Sequence, residues 1–395
     1  MKRNILYSII ILSTFLCANP ALSQDLTDEE QLGKSIFFDK KLSVRNNQSC
    51  ATCHAPDVGF TGPVPGINKG GAVYPGSVKY LFGNRKPPTA AYAGDSPELY
   101  YDDYEGVWIG GMFWDGRATG WTLGDPLAEQ AQGPFLNPLE QALPDASYVV
   151  DGICQSKYSE LFVSVCGDVC GNVQEAYECI SRAIAAYERS SEVNPYSSKY
   201  DAFLAGNATL TDQEEAGRKL FFGEGDKDAM CAACHADGVF TDFTYDNLGV
   251  PRNPQNPFYS SDFNTDGFSW VDNGLGDFLK MAGEDLYESE IGKQKVPTLR
   301  NVDKRPGPGF VKAYGHNGYF KSLKGIVNFY NTRDVKPVCP DPFTTEKDAL
   351  AQGCWPEPEV VFNVNADELG DLGLTPEEED AIVAFLQTLS DGFIE

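Results

Sequence analysis

Two short strings hold the reactive side chains of this chain: Cys50-Ala-Thr-Cys53-His54 and Cys231-Ala-Ala-Cys234-His235. One turn of backbone sets both sulfurs of such a string at one edge and swings the next imidazole beneath it. That arrangement supplies two thioether bonds to haem vinyl groups and a proximal ligand for the iron. A single string also suits a redox thiol pair. Two strings in similar contexts, taking two of the 3 histidines, favour haem. A zinc site wants further ligands at matching spacing, and the histidines cannot supply them. Two covalently bound haems c are the expected cofactors.

The far side of each iron decides the chemistry. The candidates are His316, Met112, Met230, Met281, a tyrosine, or nothing. An electron carrier saturates both irons, whereas a peroxidase leaves one open. No other histidine lies between His54 and Gly206, so the first haem is expected to be open.

The elements that position these strings occur twice. Leu26-Thr-Asp-Glu-Glu-Gln-Leu-Gly-Lys-Ser-Ile-Phe-Phe38 matches Leu210-Thr-Asp-Gln-Glu-Glu-Ala-Gly-Arg-Lys-Leu-Phe-Phe222, and a polar loop then leads to each string. Thr27 with Glu30, and Thr211 with Glu214, read as capping boxes that open helices. Further helices are predicted over 175–189 and from Thr375, where a cap, a proline and a run of acids coincide. Segments 56–100 and 243–275 are rich in Gly, Pro and Asn, and strand alternation is scarce. The expected fold is mainly α: two cytochrome c-like haem domains related by internal duplication, with long irregular loops. The expected divisions are 24–205 and 206–395.

Lys2, Arg3, an apolar run over 5–16 and Ala21-Leu22-Ser23 read as a signal peptide, residues 1–23. That predicts an exported, periplasmic product with no stable membrane insertion. Such a compartment permits disulfides. Of the 11 cysteines, Cys17 leaves with the leader and four hold haem. Cys154, Cys166, Cys170 and Cys179 are expected to pair among themselves, and Cys339 with Cys354. The net charge of -26, with no Lys/Arg stripe, excludes nucleic acid.

Four motifs in order carry a family resemblance: the paired strings with their upstream repeats; Phe113-Trp-Asp-Gly-Arg117; Gln130-Ala-Gln-Gly-Pro-Phe-Leu-Asn-Pro-Leu-Glu140; and Pro297-Thr-Leu-Arg-Asn301 followed by His316-Asn-Gly318 and Leu323 to Tyr330. The chain resembles the bacterial dihaem cytochrome c peroxidases, including their MauG-type branch. The resemblance implies that the first haem binds hydrogen peroxide and the second relays electrons. It implies catalytic roles for Gln130, Pro134 and Glu140, and places Trp114 between the haems. Glu140 suits the proton transfer that O–O cleavage needs. Ordinary members have a methionine where this chain has Tyr330, and MauG-type members have tyrosine. Tyr330 is therefore the expected sixth ligand of the second iron, with Met281 as the alternative. Leu323, Ile326, Val327 and Tyr330 share one helical face. His316 resembles a structural residue near a calcium ion between the domains. At that calcium, Lys86 stands where the family has an asparagine. The implied reductant is a small redox protein, cytochrome c or cupredoxin, or a residue of a partner protein substrate. The alternative is a dihaem electron-transfer cytochrome without peroxidase activity.

Overall fold

A computed structural model describes residues 25–394. The expected leader, with Cys17, lies outside the described residues. The chain is mainly helical. Its strands form two antiparallel two-stranded ribbons, Tyr100–Asp102 with Val107–Ile109 and Tyr245–Asp246 with Gln294–Lys295. Among the described residues, no helix is long and apolar enough to cross a membrane.

Both expected capping boxes form. Ahead of the Asp28–Phe37 helix, Thr27 Oγ1 accepts the Glu30 N–H at 3.2 Å, and Glu30 Oε2 accepts the Thr27 N–H at 2.7 Å. Thr211 and Glu214 repeat this at 3.3 and 2.7 Å before the Asp212–Phe221 helix. Each box satisfies amide donors that a helix start leaves unpaired.

Each of these helices then crosses a second one at a glycine. A Cβ on Gly33 would lie 1.8 Å from the carbonyl oxygen of Ala183, in the Val173–Arg189 helix. A Cβ on Gly217 would lie 1.9 Å from that of Ala381, in the Pro376–Gln387 helix. Only a residue without a side chain allows backbones to meet so closely. Around the first crossing pack Leu32, Ile36, Phe37, Phe135, Ile180, Ile184 and Tyr187. Around the second pack Tyr200, Phe221, Phe240, Ile382 and Phe385.

The two cores are interlocked. Leu99 and Trp108 pack with Tyr245, Leu275 and Leu279. The Tyr92 hydroxyl donates to the Asp391 carboxylate at 2.8 Å, and Arg300 pairs with Asp201 at 3.0 Å. The disulfides join Cys154 to Cys170, Cys166 to Cys179, and Cys339 to Cys354. Among the described residues, four cysteines are free: Cys50, Cys53, Cys231 and Cys234.

Gly33→Ala and Gly217→Ala should each destabilise the protein. Alanine favours a helix by ~1 kcal/mol over glycine, but overpacking typically costs ~1–3 kcal/mol or more, and these contacts are too short for small shifts to relieve. A lowered melting temperature in both variants is the expected result. An unchanged one would show that the crossings tolerate a methyl group.

Candidate functional site

The free cysteines lie on two single helical turns, Cys50–Cys53 and Cys231–Cys234. The histidine N–H that ends each turn donates to the first cysteine's carbonyl, at 2.9 Å in both. Each imidazole is then oriented by its own loop. His54 Nδ1 lies 3.2 Å from the Phe60 carbonyl oxygen, and His235 Nδ1 lies 2.9 Å from that of Phe240. A carbonyl can only accept, so Nδ1 carries the proton and Nε2 keeps its lone pair for a metal. Burial lowers the pKa of His54 to about 4 and lowers that of His235 as well. Both imidazoles are neutral at ordinary pH, as a metal ligand must be.

Phe60 and Phe240, whose carbonyls make these bonds, have φ of 54° and 56°. A phenylalanine in this left-handed region costs about 1–3 kcal/mol. Sequence reasoning missed both residues. The one available signal was the Phe-Thr pair that recurs after each histidine, at Phe60-Thr61 and Phe240-Thr241. The threonines are used alike: Thr61 Oγ1 donates to the Pro87 carbonyl at 2.8 Å, and Thr241 Oγ1 to that of Val296 at 2.7 Å.

Each string opens onto a cavity. The first is lined by Cys50, Cys53 and His54 on one side and by Phe113, Arg117, Gln130, Pro134, Asn137 and Glu140 elsewhere. The second is lined by Cys231, Cys234 and His235 with Leu323, Ile326, Val327 and Tyr330. The full helical face read from the sequence therefore meets the second cavity. The cavities suit haem c. Their thiols are free, and burial pushes Cys53 and Cys231 up to about 12. A redox thiol pair or a zinc site needs the opposite shift, toward thiolate.

In the first cavity the Pro126–Leu136 helix carries Gln130 and Pro134. Proline has no N–H, so no bond from position 134 reaches the Gln130 carbonyl. The helix ends two residues later, and Asn137 turns back to donate its Nδ2–H to Glu140 Oε1 at 2.8 Å. Burial raises the pKa of Glu140, partly opposed by Arg117 and by this bond. The Arg117 guanidinium lies 3.8 Å from the centroid of the Phe113 ring.

Trp114 lines both cavities. Its indole N–H donates to the Lys86 carbonyl at 2.8 Å, and its own carbonyl accepts the Lys295 N–H at 2.8 Å. Next to it, Asp115 pairs with Arg85 at 2.6 Å, and Arg85 pairs with Asp272 at 2.6 Å. Burial alone would raise Asp115, but Arg85 and Arg117 outweigh it and hold it low. This network braces the Trp-Asp-Gly-Arg turn. Trp121, the nearby alternative, is 48% exposed and donates to the Leu99 carbonyl away from the cavities.

In the second cavity, burial raises the pKa of Tyr330. Its carbonyl accepts the Gly370 N–H at 2.6 Å, and no hydrogen bond engages its hydroxyl among the described residues. Met281 does not reach this cavity. It is 87% exposed on the Gly274–Ala282 helix, on the polar side of a helix whose Leu275 and Leu279 face inward, so it is removed as an alternative ligand. His316 lies in the cavity wall with its ring 6.4 Å from that of Trp114. Burial lowers its pKa to about 4, and its Nε2 has no hydrogen-bond partner.

A profile described as "Di-haem cytochrome c peroxidase" matches residues 27–209. The methylamine utilization protein MauG of Paracoccus denitrificans (strain Pd 1222) is 36% identical over 91% of this chain and 88% of its own length. Cytochrome c551 peroxidase of Nitrosomonas europaea is 29% identical over 78% of this chain and 74% of its own length. The diheme peroxidase BthA of Burkholderia thailandensis E264 superposes with a TM-score of 0.76 at 29% identity, covering 94% of this chain and 88% of that one. With paired haem-binding strings, a shared tryptophan wall and this breadth of similarity, the chain belongs to the di-haem cytochrome c peroxidase family.

Proposed function

We infer that this protein is an exported dihaem peroxidase of the MauG type, reducing hydrogen peroxide at the His54 cavity. One observation carries this reading. The two cavities meet at Trp114 but differ in what accompanies the histidine: Gln130 and Glu140 in the first, Tyr330 in the second. When bound, the haems supply the irons that bind peroxide and exchange electrons. The protein supplies protons, orientation and the path between them.

Glu140 takes the proton from one peroxide oxygen and returns it to the departing oxygen. Asn137 fixes one carboxylate oxygen for this task. Gln130 holds the bound peroxide by its amide, and Pro134 shapes the helix end beneath it. Two electrons and two protons turn one peroxide into two waters. The electrons come through Trp114 from the second cavity, from a small redox protein or an oxidisable residue of a protein substrate. An indole in both walls shortens the distance electrons must cross. Tyr330, in the cavity wall with His235, would hold the second haem's iron. As an anionic oxygen donor it would stabilise oxidised iron, which would favour oxidising a protein substrate over accepting electrons from a cytochrome.

Glu140 acts first as a base, so its charged form is required. Its pKa is raised, so that form is lost at a higher pH than for an ordinary carboxylate. The rate of reaction with peroxide should fall as pH falls through this raised value. Glu140→Gln should remove that acid limb and lower the rate by ~10²–10⁴-fold. An unchanged rate and pH profile would exclude Glu140.

Tyr330→Phe should alter the spectrum and potential of the second haem alone, while Met281→Leu should leave both haems untouched. If Tyr330→Phe changes neither, tyrosine ligation is wrong. Peroxide added to the ferric protein without reductant should give a long-lived near-infrared band. A requirement for a cytochrome donor would instead place the protein with the ordinary peroxidases.

Met112 also lines the first cavity, and a thioether ligand there would make the protein an electron carrier. The resting ferric spectrum separates the two readings. Mixed high-spin and low-spin signals support an open first site, whereas two low-spin haems would remove the peroxidase reading.

A further inference from the structure

Lys86 occupies the junction of the two cavities and lines both, as Trp114 does. Its backbone is fixed at both ends. The N–H donates to the His316 carbonyl at 2.7 Å, and the carbonyl accepts the Trp114 indole at 2.8 Å. Its ammonium donates to Thr61 Oγ1 at 3.1 Å and to the Pro87 carbonyl at 2.9 Å. Both acceptors are neutral, and an ammonium has three protons to place.

Burial lowers the pKa of Lys86 to about 8, with Lys321 adding to the shift, and no acid opposes it. Lys312, buried in the second cavity's wall, gives its three N–H bonds to the carbonyls of Val58, Asn301 and Lys304. A buried charge held only by neutral groups is costly, so an anion is expected to complete the site. Each haem c carries two propionate carboxylates.

A calcium ion does not fit here. It requires six to eight oxygens, usually including carboxylates. Thr61 Oγ1 and the Pro87 carbonyl already serve the ammonium, the Lys86 carbonyl accepts the Trp114 indole, the His316 carbonyl accepts the Lys86 N–H, and the Asn84 carbonyl accepts from Asn256 Nδ2 at 2.8 Å. A divalent ion would also face the repulsion of Lys86 itself.

We propose that the Lys86 ammonium is the fixed cation between the haems, standing in place of a divalent metal and paired with a haem propionate across the cavity wall it shares with Trp114. The proposal rests on the dihaem reading above. The ammonium offsets the negative charge of a propionate so paired, which then stabilises ferric iron less, and the ferrous state of that haem is favoured.

The test uses the exported holoprotein with Lys86→Gln and Lys86→Arg variants. Haem content is measured first, and fewer than two haems per chain would overturn the dihaem reading itself. With two haems present, metal analysis after exchange into calcium-free buffer should find no stoichiometric calcium. EGTA should leave the haem spectra, midpoint potentials and melting temperature unchanged. Lys86→Gln should shift one haem about tenfold toward ferric, a fall of ~59 mV in its midpoint potential. Lys86→Arg should stay near the parent value. Tightly bound calcium, an EGTA-sensitive spectrum, or equal potentials in the Gln and Arg variants would each overturn the assignment. If Lys86→Gln does not retain haem, the calcium content and EGTA response of the parent and of Lys86→Arg still decide it.

Discussion

Everything at the two sites hangs on the bond between an imidazole Nδ1 and the carbonyl of a left-handed phenylalanine. Without it the histidine ring could rotate, and its other nitrogen would not be held toward the cavity. Phe60 and Phe240 are both buried among core aromatics, Phe60 near Phe37 and Phe240 near Phe221 and Phe385. The unfavourable backbone is therefore held by packing. That packing is organised in turn by the helices that cross at Gly33 and Gly217. The chain of dependence runs from a glycine contact, through an aromatic cluster, to the direction of a lone pair.

The two sites share this scaffold and diverge in what faces it. In the first, the proline-terminated helix and the Asn137 turn bring an amide and a carboxyl group to the wall. In the second, one helical face brings three aliphatic side chains and a phenol. Similar backbones thus present one wall with an amide and a carboxyl group and another that is apolar with a phenol. The turn that carries Trp114 passes between them, and the paired arginines and aspartates at 85, 115, 117 and 272 hold it there.

Features governed by local rules were legible in the sequence. The helices beginning after Thr27, Thr211 and Thr375 announce themselves by capping residues, and the face from Leu323 to Tyr330 by its period. The cysteine partners were legible as groups but not as pairs within 154–179, because spacing does not choose between connectivities. Long-range placement was not legible. Nothing near Arg85 in sequence points to Asp272, and nothing about Lys86 marks it as an ammonium facing two cavities. Met281 shows the same limit: its residue type suits an iron ligand, but the helix that carries it turns it outward. The left-handed phenylalanines were hidden because their conformation is imposed by tertiary packing against local preference.

The cysteines impose a last consequence. Six must be oxidised, while four must stay as thiols until they add to vinyl groups, and export would expose all of them to the same oxidants. A disulfide between Cys50 and Cys53, or between Cys231 and Cys234, would use up the sulfurs that the cofactor requires. The chain keeps the two populations apart in space: two bridges clamp one helical corner and the third closes a loop near Trp355. In an oxidising compartment, the order in which these two sulfur chemistries finish would decide whether the four thiols are still free to take up haem.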